Sequence, residues 1–364
     1  MKKLIWIIVA VVVVGGIIWV SGSKKSAPVS GEPIKIGALL ILSGDFAAWG
    51  ENAKKGIDLA LEDFRKDHPE NNIQIIYEDT KGDAKLALSG FKKLTEVDHV
   101  DAIIGPLFST EVAALAPIVK DSIPVVTPSY APLQNRPNPW NPLMVWMDPR
   151  IEARHFAQYI FDSGVRHGAI IGTLDTWEKE GYDAFVEEFE KLGGTFTDKE
   201  IVQPETSDVK LEITKIVKSK PEAVFVATYY QFVNSLKSLK DLGYPGKLYG
   251  AEVDSYLADQ TKNLSDGLQF IAPDFYTSDF VTEFNNRFNE KPGIPAGQAY
   301  DAANILFSFV TKYKNTTDIL QVMSDFKKYN GVSGQIEVTP EQRIVFPTAI
   351  FELRNGDIVR LQSI

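Results

Sequence analysis

The chain has 364 residues, of which 44% are hydrophobic and 24% charged, and its formal net charge is −10. That length exceeds a typical single domain, so two domains are expected, and an acidic balance without a dense Lys/Arg stripe argues against a nucleic-acid partner. Because the chain has no cysteine, disulfides, thiol catalysis, thiolate metal sites and a lipid-modified cysteine anchor are all excluded.

The first twenty residues predict a targeting or anchoring segment outside the fold. Two lysines precede an uninterrupted apolar run at residues 4–20, whose length lies at the lower bound for a membrane-spanning helix. We expect residues 1–20 to be an uncleaved signal or anchor helix that tethers the protein to the membrane, and residues 21–33 to be a flexible linker. Cleavage at the small residues near Ser21 is the alternative.

From residue 34 onward, strand-like and helix-like stretches alternate. Residues 34–40, 73–79 and 102–104 predict strands of a parallel sheet, and helical spacing follows each of them. In such open sheets, ligands bind beyond the carboxyl ends of the strands. The loops in which we expect a site are therefore residues 43–50, 105–110 and 127–131.

The stretch DAIIGPLFSTEVAALAPI, residues 101–118, predicts a buried strand, a Gly-Pro turn and a helix that begins near Ser109 or Thr110. A hydroxyl residue followed by Glu111 in the first turn is typical of a helix start. Since helix N-termini leave free N–H groups and a partial positive charge, this turn can seat an anion. The alternative is that Ser109 or Thr110 only caps its own helix.

After a proline-rich passage, the same alternation begins again near residue 149. Further strands are predicted at residues 168–173, 223–228, 247–252 and 268–273, with helices between them. The chain ends with hairpin-like strands, IEVT, IVFPTAIFEL and DIVRLQ, the last two joined by an Asn-Gly turn. The expected fold class is α/β, with two doubly wound parallel-sheet lobes.

Several segments together resemble the branched-chain-amino-acid-type solute-binding proteins of ABC transporters, which have the type I periplasmic binding fold. They are IKIGALLILSGDFAAWGENAKKGIDLALED, YEDTKGDAKLALSGFKKL, AIIGPLFSTEVAALAP, IPVVTPSYAP, PEAVFVATYY, GAE and AYDAANILF. The resemblance runs from about residue 34 to the C-terminus. It implies three chain crossings, near residues 147–150, 272–274 and 331–335, with lobe 1 formed by residues 34–148 plus 274–332 and lobe 2 by residues 149–273 plus 333–364.

The resemblance also implies which residues bind the ligand. The family's carboxylate seat maps onto Ser109 and the N–H groups behind it, and its ammonium-binding acid maps onto Glu252. The family commonly has a threonine where Ala131 stands, so this chain lacks one hydroxyl of that seat. The expected ligand-binding residues are Trp49, Ser109, Thr110, Ser129, Tyr130, Ala131, Trp177, Tyr229 and Glu252.

The function implied is capture of an amino acid or related small polar metabolite outside the cytoplasm, for uptake through an ABC-transporter permease. The sequence contains no G-x-S-x-G, P-loop or dinucleotide-binding motif, and its four histidines are scattered without ligand spacing. Neither catalysis, a cofactor nor a metal is therefore expected. The alternative is a ligand-sensing receptor ectodomain of the same fold, which would report amides, urea or aromatic acids to a membrane partner.

Overall fold

The computed structural model describes residues 32–120, 122–131, 141–251, 253–274, 276–339 and 344–364. The predicted membrane segment, nearly all of the predicted linker, and Glu252 lie outside these residues. Within the described ranges, none of the helices is both long and apolar enough to span a bilayer.

A parallel sheet forms the centre of the first lobe. Its strands are short runs rich in Ile, Val, Leu and Ala, which suit a sheet covered by helices on both faces. Its described strands are β1 (Ile34–Leu40), β2 (Ile73–Asp79), β3 (Ala102–Ile104), β4 (Val125–Thr127) and β5 (Leu143–Met144), in the spatial order β2-β1-β3-β4-β5. The connecting helices are α1 (Ala47–Asp67), α2 (Ala84–Glu96) and α3 (Ser109–Val119). The first three strands have the predicted bounds, so this part of the sequence prediction is confirmed.

A second α/β unit follows in the chain. Its helices are α4 (Pro149–Asp162), α5 (Thr176–Lys191), α6 (Lys210–Lys218), α7 (Phe232–Asp241) and α8 (Ser255–Thr261). Its strands are β6 (His167–Thr173), β7 (Thr195–Val202), β8 (Ala223–Ala227), β9 (Lys247–Gly250) and β10 (Gln269–Pro273). These strands pair in parallel, so their carboxyl ends meet at one edge of the sheet.

The last part of the chain contributes helices and strands to both lobes. It contains α9 (Ser278–Phe288), α10 (Ala296–Lys312), α11 (Thr316–Ser324), β11 (Lys328–Gly331), β12 (Gly334–Val338), β13 (Ile344–Val345), β14 (Thr348–Arg354) and β15 (Asp357–Ser363). Strands β11 to β13 form a small antiparallel sheet, whereas β14 and β15 extend the second sheet to the order β15-β14-β10-β9-β8-β6-β7. The fold is therefore α/β with two parallel-sheet lobes, as predicted.

Hydrogen bonds join the three chain segments that pass between the lobes. The Asp148 N–H donates to the Ile344 carbonyl at 3.1 Å, and the Asp274 N–H donates to the Pro347 carbonyl at 2.7 Å. Ile344 and Phe346 are buried in the core of the first lobe. We therefore propose that the third crossing lies at residues 346–348, later than the predicted 331–335, which belong to the small sheet.

Helices α1 and α10 pack against each other unusually closely in the first lobe. Ile57 on α1 and Ala303 and Leu306 on α10 are fully buried. A Cβ atom added at Gly56 would lie 2.0 Å from the backbone oxygen of Ala296. Because that oxygen belongs to the backbone, it cannot rotate away, and only glycine fits at this contact.

We predict that Gly56→Ala lowers the free energy of unfolding although alanine is the better helix former. Overpacking against a backbone atom costs about 3 kcal/mol, which corresponds to roughly 4 °C in Tm for a protein of this size. Differential scanning calorimetry measures this shift. The control is Gly168→Ala, where the added Cβ has its nearest neighbour at 3.8 Å and Tm should not fall. An unchanged Tm for Gly56→Ala would show that the two helices can separate.

Candidate functional site

The turn between β3 and α3 presents unpaired backbone donors. Helix α3 begins at Ser109, and its N-cap is Phe108, whose N–H donates to Glu111 Oε2 at 2.9 Å. Glu111 is fully buried, and that burial raises the pKa of its carboxyl. Neither hydroxyl caps the helix, so the alternative of a simple cap is wrong. The N–H groups of Ser109 and Thr110 have no acceptor among the described residues.

The loop after β4 lies beside this turn, and the two together form the wall of the cleft that belongs to the first lobe. Ser129 and Tyr130 are 5% and 3% exposed, and both line an interlobe cavity. Ala131 does not line it: this residue packs against Val112 and Met144, and its N–H donates to Met144 Sδ at 3.1 Å. A threonine hydroxyl at this position would therefore lie behind the wall.

Helix α5 provides the opposite wall at its first turn. Asp175 is its N-cap and accepts hydrogen bonds from the N–H groups of Trp177 and Glu178. Glu178 is 7% exposed, and its Oε1 accepts the Tyr229 N–H at 2.7 Å. Glu178 Oε2 makes no hydrogen bond of normal geometry with the described residues, although the Thr173 and Thr228 hydroxyls lie close enough to the carboxyl to lower its pKa. Burial raises the pKa of Glu178 to about 8 and also raises the pKa of Asp175.

Aromatic rings bring the two walls together. The Trp49 and Tyr229 rings meet edge to face with centroids 6.1 Å apart, and Phe46 meets Tyr230 in the same way at 5.9 Å. Such edge-to-face pairs are favourable beyond the area that they bury. The lobes therefore touch across the cleft at these two pairs of rings.

A polar cluster links both lobes beside the first crossing. Arg150 holds Asp148 with two hydrogen bonds of 2.9 Å, and its Nη2 donates to the Tyr130 hydroxyl at 2.8 Å. The Tyr130 hydroxyl in turn donates to Glu180 Oε2 at 2.7 Å. Since Tyr130 belongs to the first lobe and Glu180 to the second, this cluster stabilises the closed arrangement.

The interlobe cavity has a volume of about 140 Å³. An apolar cavity of about 150 Å³ holds a molecule the size of benzene, so this one suits a small solute. Three acids line it, namely Glu152, Asp175 and Glu178, and the described lining includes no Lys, Arg or His. Among described residues, no group of three metal-binding side chains occurs.

Six of the nine predicted site residues meet at this cavity. Thr110 is exposed, Ala131 lies behind the wall, and Glu252 is outside the described residues. The residues that line the cavity are Trp49, Ser109, Ser129, Tyr130, Trp177 and Tyr229.

Sequence reasoning missed Glu178 and several of the aromatic residues. In D-T-W-E, the pattern of an acid at the cap and another in the first turn indicates a helix start, and both acids have an ordinary role there. Only the fold shows that this helix start faces the cleft. The same holds for Phe46, Phe108, Trp146 and Tyr230, whose side chains line the cavity.

A family model described as periplasmic binding protein matches residues 33–357. The chain belongs to this family. A Leu/Ile/Val-binding protein from Rhizobium johnstonii is 23% identical over 236 residues, which is 63% of this chain and 64% of that protein. The match thus spans slightly less than two thirds of that curated relative.

Solved structures share the fold. A leucine-binding protein from Thermotoga maritima is 19% identical with a TM-score of 0.80, over 91% of this chain and 98% of that one. A branched-chain amino acid substrate-binding protein from Streptococcus pneumoniae, in complex with isoleucine, is 19% identical with a TM-score of 0.78, over 91% and 100% of the chains. A Rhodopseudomonas palustris solute-binding protein, in complex with 4-hydroxybenzoate, is 18% identical with a TM-score of 0.80, over 92% and 97%.

Family membership confirms the predicted resemblance to the type I periplasmic binding proteins of the branched-chain amino acid type. The family consists of non-enzymatic solute-binding proteins of ABC-type transport, and its members work outside the cytoplasm. This protein is therefore a periplasmic binding protein.

We predict that Tyr130→Phe weakens the closed arrangement of the lobes. The substitution removes a hydroxyl that bonds two charged groups, and such bonds contribute about 1.5 kcal/mol, which is roughly tenfold in the equilibrium between closed and open lobes. Small-angle X-ray scattering of the ligand-free protein should show a larger radius of gyration. In Tyr244→Phe, the control, the lost hydroxyl bond to the Pro221 carbonyl lies within one lobe, and the radius should not change. Equal radii for Tyr130→Phe and the parent would contradict the role of this cluster.

Proposed function

We propose that this protein captures an amino acid or a related small polar metabolite in the interlobe cleft and delivers it to the permease of an ABC transporter. The observation that carries the proposal is the pair of opposed polar groups at the interlobe cavity. A free N–H group at Ser109 belongs to one lobe, and a buried carboxyl oxygen of Glu178 that accepts no described hydrogen bond belongs to the other. Buried polar groups without partners are costly, so a ligand that pairs with them gains affinity.

Closure of the lobes is the step that couples binding to delivery. Hinge closure around a ligand changes the outer surface of both lobes, and a permease can recognise that surface. The Tyr130–Glu180–Arg150 cluster and the facing aromatic rings support such a closed form. A membrane tether at residues 4–20 belongs to the same proposal, since it would keep the protein beside its transporter.

A thermal-shift screen tests the proposal directly. The full chain is screened against amino acids, amides and small organic acids, with L-isoleucine and 4-hydroxybenzoate included because relatives bind them. A ligand at a hundred times its Kd stabilises the folded protein by about 2.7 kcal/mol, or roughly 4 °C in Tm here. If no compound in the three classes raises Tm, the proposal is wrong.

We predict that Ser109→Pro weakens the binding of the strongest stabiliser at least tenfold, whereas Ser109→Ala has a smaller effect. Proline is tolerated at the first helical position, and Phe108 already has the extended ψ of 146° that a following proline favours. The variant therefore removes the N–H donor without breaking the helix, while alanine removes only the hydroxyl. Isothermal titration calorimetry gives both affinities.

The control is Ser278→Pro, at the first position of α9. Its N-cap, Thr277, has a ψ of 145°, so proline fits equally well there. Affinity should equal that of the parent protein. Loss of affinity in Ser109→Ala as large as in Ser109→Pro would assign the interaction to the hydroxyl instead of the backbone.

A further inference from the structure

The part of the cleft outside the cavity is lined by acidic side chains, as the cavity itself is. On the other side of Trp49 and Tyr229 lies an outer groove of about 460 Å³. Three more acids line this outer groove, namely Asp45, Glu205 and Asp254, and its described lining again includes no Lys, Arg or His. A cleft with acids in both compartments and no base attracts cations and repels anions.

The nearest cation does not offset this charge. Arg150 lies beside the cavity, but Asp148 holds its guanidinium from two sides at 2.9 Å, and Glu180 lies 3.4 Å from its Nε. Two carboxylates thus share one guanidinium. A ligand carboxylate in the cavity would have no free positive side chain to pair with among the described residues.

Glu178 is the acid that is placed to receive a cation. Its Oε1 is fixed by the Tyr229 N–H, which sets the orientation of the carboxyl group. Its side chain lines the cavity, and its Oε2 is buried beside the Thr173 and Thr228 hydroxyls, without a hydrogen bond of normal geometry to any described residue. The Trp49, Trp177 and Tyr229 rings line the same cavity, and aromatic faces stabilise an ammonium group by cation–π attraction.

Three further groups of described residues around the cavity are donors without a described acceptor. The indole N–H groups of Trp49 and Trp177 are buried and have no described acceptor, and the Ser109 N–H lies on the wall of the first lobe. These groups require an acceptor on the ligand. A hydroxyl or carbonyl oxygen meets that need without bringing a negative charge among Glu152, Asp175 and Glu178.

We propose that the ligand is a small protonated amine whose second polar group is an uncharged acceptor, such as a hydroxyl or carbonyl, and that Glu178 receives its ammonium group. This inference rests on the proposed function of solute capture and narrows the class of solute. It also differs from the sequence expectation, in which Glu252 receives the ammonium of an amino acid.

Binding of an amine should release a proton. With a pKa of about 8, Glu178 in the empty cleft carries a proton at pH 7, and an ammonium ion beside it favours the ionised form. The groups that face Glu178 do not supply a competing base: they are Asp175 at the N-cap of its helix, Thr173 at the end of β6, and Thr228, Tyr229 and Tyr230 after β8. Close to one proton should therefore leave per amine bound, whereas an anionic ligand would retain it.

The test uses the full chain at pH 7 and two sets of four ligands that share a carbon skeleton and differ in their polar groups. The set with the leucine skeleton is L-leucinol, L-leucine, 4-methylpentanamide and 4-methylpentanoate. The second set contains the corresponding four compounds with the phenylalanine skeleton. We expect the amino alcohols to bind at least tenfold more tightly than the amino acids and the neutral amides, and the acids not to bind. Calorimetry in buffers of different ionisation enthalpy measures the proton release in the unmodified protein.

Variants test which acid receives the ammonium group of the ligand. Glu178→Gln should weaken amino alcohol binding at least thirtyfold, whereas Glu187→Gln, on the exposed face of the same helix, should leave it unchanged. The proposal is overturned if Glu178→Gln binds like the parent or if Glu252→Gln alone abolishes binding. The comparison of the four ligand types needs no variant, so it tests amine recognition even if Glu178→Gln does not fold.

The failure of this inference differs from the failure of the proposed function. Tight binding of the amino acids or the carboxylic acids, with weak binding of the amino alcohols, would overturn the amine assignment and leave solute capture intact. Absence of binding by all eight compounds and by every member of the wider thermal-shift screen would overturn both.

Discussion

The parallel direction of the strands is the constraint on which this cleft depends. In each lobe the strands end at one edge of the sheet, so the loops that follow them collect in one place. Ser109 follows β3, Tyr130 follows β4, Trp177 follows β6 and Tyr229 follows β8. Residues that are far apart in the sequence thus face each other because each one comes directly after a buried strand. The helices and the hinge only fix how closely the two edges approach.

A ligand that pairs with the buried polar groups lowers the free energy of the closed cleft. Glu178 Oε2 and the indole N–H groups of Trp49 and Trp177 are buried without described partners, and each such group costs about 1–3 kcal/mol. In an open cleft, water would satisfy all three. A suitable ligand replaces that water and removes the cost, so binding and closure favour each other. The Tyr130–Glu180–Arg150 cluster adds stability to closure whether or not a ligand is present.

Strand-and-helix alternation made the fold predictable, because buried parallel strands and capped helices leave strong local patterns. The site was predictable only in part. Six of the expected residues line the cavity: loop position indicated the segments that hold Trp49, Ser109, Ser129 and Tyr130, and the family resemblance implied Trp177 and Tyr229. The orientation of Glu178 depends on the Tyr229 N–H, 51 residues later, and no local pattern contains that contact. The segment IVFPTAIFEL was interpreted as one strand, although Pro347 separates β13 from β14 and marks the passage between lobes.

The contact between α1 and α10 has a consequence for folding. The Asn52 side chain donates to the Ile294 carbonyl, 242 residues later, and Gly56 lies against Ala296. The first lobe therefore has a high contact order, and its core cannot close until the intervening lobe has been synthesised. During that time β1 to β5 expose apolar surface on the nascent chain. Such surface is prone to aggregation until helix α10 has been added to this lobe.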